Sequence, residues 1–333
     1  MKIKFDEMKN LLEEKLIQRG CDNDIARRCA INLTSSSRDG ILSHGFYRFP
    51  RLITMIDNGT VKPNKAPICI TKMNAFELWD GQLGMGNTNA EDAMARAIEL
   101  STANGIGCIV MKNTNHWMRG GSYAIQAAEK GCVGICWTNT MANMSPWGAK
   151  SNEIGNNPLV MGIPYGENVI FVDAAMSQYS YGALDNAKLK GEKLPVVGGY
   201  DINGNLTDNP QSILDSGRVL PIGFWKGSSF SILMDMIVSF LSQGQCVYDI
   251  GCQGRRAIDE YGLSQIFIAI HPFDKFASDE VISRIIQSIK NSIPAEDIKE
   301  VFYPSERLVK KRLKSMNEGI DVDDNIYKEV ISL

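Results

Sequence analysis

The chain has 333 residues, 44% of them hydrophobic, and a formal net charge of -3 at pH 7. That length can bury a sizeable core in more than one unit, and the charge balance leaves no electrostatic footprint for nucleic acid. No stretch approaches the ~20 apolar residues of a membrane span, and the N-terminus lacks a signal-peptide core, so a cytoplasmic location is expected.

The first ~60 residues read as a helical unit. Phe5 to Arg19 carries apolar residues at Phe5, Met8, Leu12 and Leu16, with Gly20 placed to end the helix. Asp22 or Asn23 can cap a second helix running to about Ser36. A third spans Tyr47 to Asn58 and stops at Gly59; Pro50 fits only in its first turn, so the helix begins close to His44. Residues four apart on a helix share a face, which would point His44 and Arg48 into one space. A histidine that titrates near pH ~6.5, beside a fixed guanidinium, suits a carbonyl next to a carboxylate. The arginine would hold the carboxylate through two parallel hydrogen bonds while the histidine moves a proton on the neighbouring oxygen. Helix capping by His44 and a surface ion pair at Arg48 are the plainer alternative.

Beyond Pro63 and Pro67, Ile68 to Met73 and Phe76 to Asp80 read as strands, and a helix covers Ala90 to Ala103. The intervening Gly81, Gly84 and Gly86 are in the wrong order for a dinucleotide fingerprint, and a loop needing positive φ explains them. Gly107 to Lys112 is a strand, Gly121 to Lys130 a helix, and Val133 to Asn139 a strand. Between the first two, Asn113 to Tyr123 again sets a histidine, His116, near an arginine, Arg119, in a glycine-rich turn. Sites are commonly built at such strand ends.

Leu159 to Ile163 and Val169 to Asp173 form a strand pair; Asp201 to Thr207 lacks the glutamate of a calcium loop and reads as a polar turn. Phe230 to Leu241 is an apolar helix, expected to be buried. Gln265 to Ile270 is an apolar strand ending at a structural His271, while Gly251 to Ala257 fits no pattern. Helices near Ser278 to Asn291, Ser305 to Lys314 and Asp323 to Ile331 close the chain, and the run Lys310-Lys311-Arg312 to Lys314 reads as a solvated helix face. The eight cysteines are scattered, most in apolar runs (Cys69, Cys108, Cys136), as buried free thiols would be; Cys132 and Cys136 lack a second pair, so no metal site is expected.

Taken together, Ser43-His44-Gly45, Arg48-Phe49-Pro50-Arg51, Asn115 to Tyr123, Pro146 to Lys150, Asn157-Pro158-Leu159, Trp225 to Ser228 and Tyr261 to Ile270 resemble the malate/L-lactate dehydrogenase family that lacks a Rossmann fold. The resemblance runs along most of the chain and is closest to the family's 2,3-diketo-L-gulonate reductase branch. It implies an α/β fold with a central mixed, largely antiparallel sheet, plus a helical subdomain built from both chain ends. The division would be residues 1–60 with 305–333, around a central region 61–304. It further implies NAD(P)-dependent reduction of a 2-oxo acid in a homodimer. NADH is preferred because no arginine pair awaits a 2′-phosphate.

Carried over by position, His44 becomes the acid/base candidate and Arg48 the carboxylate clamp. His116 is acid/base in some relatives, so either imidazole can hold the proton. The cofactor segments correspond to Val169, Ile170, Phe171, Val172, Asp173, Ala174 and Ala175, to Trp225 and Lys226, and to Pro304, Ser305 and Glu306. Ala174 and Ala175 would let the dinucleotide approach closely, Lys226 would meet a phosphate, and Ser305 and Glu306 would offer capping oxygens and a ribose acceptor. Ser305 stands where the family usually has glycine. A malate, lactate, ureidoglycolate or sulfolactate dehydrogenase is the alternative within the family. A non-catalytic binding protein retaining the fold is the alternative outside it.

Overall fold

The computed structural model describes residues 1–250, 260–273 and 275–333, so the unpatterned stretch 251–257 lies outside the described residues. The chain opens with strand β1 (Lys2–Ile3) and helices α1 (Phe5–Gln18) and α2 (Asn23–Arg38). Met8, Leu12 and Leu16 of α1 pack on Ala26, Cys29, Ala30 and Leu33 of α2, as the four-residue spacing predicts. The next segment departs from expectation. Two 3-10 turns, Leu42–His44 and Phe46–Arg48, precede a helix α3 that spans only Phe49–Asp57.

The central region follows with strands β2 (Ile68–Met73) and β3 (Phe76–Asp80), helix α4 (Gly86–Asn104), strand β4 (Ile106–Thr114), helix α5 (Gly121–Glu129) and strands β5 (Val133–Thr138), β6 (Leu159–Tyr165) and β7 (Asn168–Ala174). Helix α6 (Tyr181–Lys190), the short strands β8 (Gly199–Tyr200) and β9 (Leu206–Thr207), helices α7 (Pro210–Ser216) and α8 (Trp225–Ser242), strand β10 (Leu263–Ile270) and helix α9 (Lys275–Lys290) complete it. The Asp201 to Thr207 stretch is indeed a turn, with the Asp201 carboxylate accepting from Asn205 N–H.

Seven strands form one sheet in the order β2-β3-β4-β10-β5-β6-β7. Only β3 and β4 run parallel; the other neighbours are antiparallel. This mixed, largely antiparallel sheet excludes a Rossmann arrangement. Alternation along β4 and β10 feeds both faces. Ile109, Met111, Phe267 and Ala269 meet α4 and α5 on one side. Val110 and Ile266 meet Val238 of α8 on the other.

Two expectations fail here for one reason, that apolar composition does not say what covers it. In α8, Met234 and Val238 are buried, but Phe230 is 59% exposed, Leu233 55%, Met236 60% and Phe240 83%. On the edge strand β2 every residue is exposed, Cys69 included.

The chain ends with helix α10 (Glu306–Glu318), strand β11 (Ile320–Asp321) and helix α11 (Asp324–Ser332). β1 pairs with β11, Ile3 opposite Ile320. Ile320, Val322 and Val330 join the core of α1–α3, so both chain ends build one helical lobe. The basic run on α10 is not wholly a solvated face: Lys311 meets Asp321, whereas Arg312 turns inward to the fully buried carboxylate of Asp39.

Candidate active site

His44 and Arg48 do not share an α-helical face, because the backbone breaks at Gly45 (φ -122°, ψ -127°) between the two 3-10 turns. A side chain there is impossible: a Cβ on Gly45 would lie 2.2 Å from Ser37 Oγ and 2.8 Å from Leu33 O. Ser37 Oγ accepts from Phe46 N–H at 2.8 Å, pinning the break to α2. His44 and Arg48 are brought together by this buried kink rather than by helical spacing.

His116 arrives on the loop after β4. Asn115 Nδ2 donates to Leu83 O and Gly84 O, each at 2.9 Å, fastening the loop to the Gly81–Gly86 segment. The glycines of that segment serve close packing. Positive φ falls instead on Gln82 (51°) and Leu83 (58°). A Cβ on Gly86 would stand 2.3 Å from Asn115 O and 2.4 Å from His116 O. The residue next to the imidazole loop must therefore lack a side chain.

The rings of His44 and His116 stack with centroids 5.6 Å apart, 17° from parallel. His116 Nδ1 accepts from Met118 N–H at 3.0 Å across a left-handed Met118 (φ 63°). His44 Nδ1 lies 3.2 Å from Ser43 Oγ, which can donate or accept. Burial first, then the charges of Arg48 and Arg119, hold the His44 imidazole down at about 4. Burial, then Arg48, His44 and Arg51, hold the His116 imidazole well below its ordinary value. Arg48 is itself lowered to about 10 by burial and by Arg51, against the opposing pull of Glu260.

Two carboxylates that sequence reasoning missed organise these arginines. Glu260 accepts from Arg48 Nη2 at 3.4 Å and from Met141 N–H at 3.3 Å. Asp39 accepts from Arg119 Nη1 at 2.6 Å and bidentately from Arg312 at 2.8 Å and 2.8 Å. Burial raises the Asp39 carboxyl, but hydrogen bonds from Arg312 and Arg38 and the Arg119 charge outweigh it and hold it at about 2. Neither residue sits in a motif, and their partners are remote in sequence, so no local signal could have found them.

The predicted cofactor segments lie along β7, the outer strand of the sheet. At its start, Ser305 Oγ donates to Val169 O at 3.0 Å. Ser305 takes a left-handed conformation (φ 67°) and makes no side-chain cap on α10, so the expected capping role is absent. The Glu306 carboxylate is held by Lys290 at 2.9 Å. Just past the end of β7, Met176 O accepts from Ile222 N–H at 2.8 Å, which brings up the turn leading to Trp225, 60% exposed, and the exposed Lys226. The imidazole loop touches the same strand: Gly121 N–H donates to Asp173 at 2.7 Å, and the Arg119 guanidinium lies 5.4 Å from the Phe171 ring. Among the described residues, an outer strand ending in alanine, an exposed indole and an exposed ammonium are groups that could hold an extended dinucleotide.

Among the described residues no cluster of three or more potential ligands could hold a metal, and no helix is long and apolar enough to cross a membrane. His271 is exposed and meets Pro272 O, away from the site.

The family model described as malate/L-lactate dehydrogenase matches residues 3–331. A 2,3-diketo-L-gulonate reductase of Escherichia coli O1:K1 / APEC is 43% identical over 336 residues, covering 100% of both chains. The solved sulfolactate dehydrogenase from Methanocaldococcus jannaschii is 27% identical with a TM-score of 0.91, covering 99% of this chain and 95% of its own. Malate dehydrogenase from Entamoeba histolytica, at 24% identity, shares the fold with a TM-score of 0.92 over 100% of this chain and 96% of its own.

Proposed function

The chain belongs to the malate/L-lactate dehydrogenase family and is an oxidoreductase using a nicotinamide cofactor; from that premise we propose that it reduces the 2-oxo group of 2,3-diketo-L-gulonate, giving 3-keto-L-gulonate. The observation that carries this reading is the 43% identity, over the whole of both chains, to a 2,3-diketo-L-gulonate reductase. The stacked His44 and His116, with the Arg48 charge acting on both, supply the groups it needs. A malate-, lactate-, ureidoglycolate- or sulfolactate-type dehydrogenase is the second reading, supported by the likeness to sulfolactate dehydrogenase.

Arg48 grips the substrate carboxylate and sets the adjacent carbonyl against the imidazoles. His44 gives the proton, taking it up when the bound carboxylate offsets the Arg48 charge that otherwise helps keep the ring neutral. Its Nδ1 partner, the Ser43 hydroxyl, accommodates both the neutral and the charged ring, so His44 can gain and lose a proton without breaking a contact. His116 differs, because accepting from Met118 N–H places its own proton on Nε2, and a second proton on Nδ1 would break that bond. It acts as a fixed hydrogen-bond donor that orients the carbonyl oxygen. When bound, the nicotinamide supplies the hydride. Val169 to Ala175, Trp225, Lys226 and Pro304 to Glu306 hold the cofactor, with Lys226 toward a phosphate and Glu306 toward a ribose.

NADH is our preferred cofactor, on the reading that no arginine pair awaits a 2′-phosphate. We take the working form as a homodimer, supported by the exposed apolar face of α8, and its compartment as the cytoplasm, supported by the seven described cysteines being free. The lobe is read as residues 1–60 with 305–333 around a central 61–304.

The test is oxidation of NADH or NADPH against a panel of 2-oxo acids with the purified protein. Highest kcat/KM with NADH and 2,3-diketo-L-gulonate is the expected result. Preference for oxaloacetate, pyruvate or sulfopyruvate would move the assignment to the second reading.

A further inference from the structure

We infer that Glu260 is a positioning residue for substrate recognition, setting the angle from which Arg48 grips a carboxylate. The inference rests on Arg48 being the carboxylate clamp. An arginine side chain has many rotamers to lose, and this one stands on a 3-10 turn beside a backbone break, repelled by Arg51. Something must aim it. Glu260 is anchored on the central region through Met141 N–H and reaches across to the helical lobe at Arg48.

The geometry of that ion pair differs from the structural one nearby. Asp39 closes on Arg312 bidentately at 2.8 Å and 2.8 Å, occupying its fork. Glu260 touches Arg48 through one nitrogen at 3.4 Å, longer than the ~2.7–2.9 Å of a closed charge-assisted bond. A guanidinium has five N–H donors, so among the described residues this one contact steers the group and leaves its paired edge for a ligand. Arg48 remains reachable, with 18% of its side chain exposed against 7% for Glu260.

The experiment measures the Kd of oxamate, an unreactive 2-oxo-acid mimic, by calorimetry, together with KM for the 2-oxo acid and Kd for NADH. Glu260→Gln keeps an acceptor for Met141 N–H and removes the charge. It should weaken oxamate and raise KM by about tenfold, on the scale of one charged hydrogen bond, with NADH binding changed less than about twofold. In an Arg48→Ala background the same substitution should add less than about twofold, since its effect passes through Arg48. Additive losses would make Glu260 a general structural residue and overturn the proposal, as would unchanged or tighter oxamate binding. Should Glu260→Gln fail to fold, Glu260→Asp retains the charge but withdraws it by one methylene. It must show the same non-additive loss in smaller measure, and an additive or absent loss again overturns the idea. A wild-type protein that binds oxamate but oxidises no NADH would sink the reductase reading and leave this one standing. Indifference of oxamate to Arg48→Ala would sink the clamp and Glu260 with it.

Discussion

His44 and His116 face one another as stacked rings, and only His44 has a partner that tolerates a change of protonation. Two stacked imidazolium ions at this spacing would repel, so one proton at most is shared between them, and it belongs to His44. His44→Gln should cost roughly 10²–10⁴ in kcat and flatten the kcat–pH profile. His116→Gln should act mainly on KM and leave the profile's shape intact. Flattening in the His116 variant alone would reverse the two roles.

Arg48 carries the substrate carboxylate, and lysine cannot reproduce a planar fork. Arg48→Lys should raise KM for the 2-oxo acid by roughly 10- to 100-fold while NADH affinity stays within about twofold. Steady-state kinetics with each substrate varied in turn would check it. An unaltered KM removes Arg48 from the site.

The depressed imidazoles make stability depend on pH in a definite direction. Between its ordinary value of 6.5 and its folded value of about 4, His44 binds a proton in the unfolded chain but not in the native one. Stability is therefore fully present above pH 6.5 and lost as pH falls toward 4, by on the order of 3 kcal/mol. His116 adds to the loss in the same direction. Asp39, held at about 2, adds its own loss only at the acid end of this window, where the unfolded carboxyl, with its ordinary value of 3.8, begins to bind a proton that the native one does not. Urea unfolding of wild type and His44→Gln at either end of the window should show a smaller pH slope in the variant. Equal slopes would mean that His44 titrates normally.

The open face of α8, with Phe230, Leu233 and Phe240 at helical spacing, is the expected contact between two copies. Light scattering should give about twice 36.8 kDa. Leu233→Asp together with Phe240→Asp should shift it to the single-chain value, since burying two carboxylates in an apolar contact is strongly unfavourable. A wild-type mass of one chain would leave the face unexplained by self-association.

Much of this architecture could be read from sequence, and the failures share a cause. Helix and strand periodicity located α1, α2, α4, α5 and the main strands, because each carries its own apolar repeat. His44, Arg48 and His116 stood out because they lie in motifs. The helix expected to carry His44 and Arg48 together did not form, since Ser37 and Leu33 of α2 claim the space and hydrogen bonds at Gly45. Glu260, Asp39 and Arg312 act only through partners far along the chain, and nothing in their own neighbourhoods marks them. Exposure of α8 and β2 was equally hidden, since a hydrophobic face looks the same whether its own core or another copy covers it.

The pairing of β1 with β11 has a consequence for how the protein comes to be made. α1 and α2 are synthesised before the central sheet, yet the strand and helix that complete their core are synthesised after it. Joining ends so far apart costs chain entropy that grows only slowly with loop length, so the closed lobe is accessible but late. The central sheet, whose strands are all synthesised before α10, can assemble while the N-terminal helices still wait for their partners. Nascent chains stalled before α10 should therefore display a protease-resistant sheet and an unprotected N-terminus, the reverse of the usual N-terminal-first order of folding during synthesis.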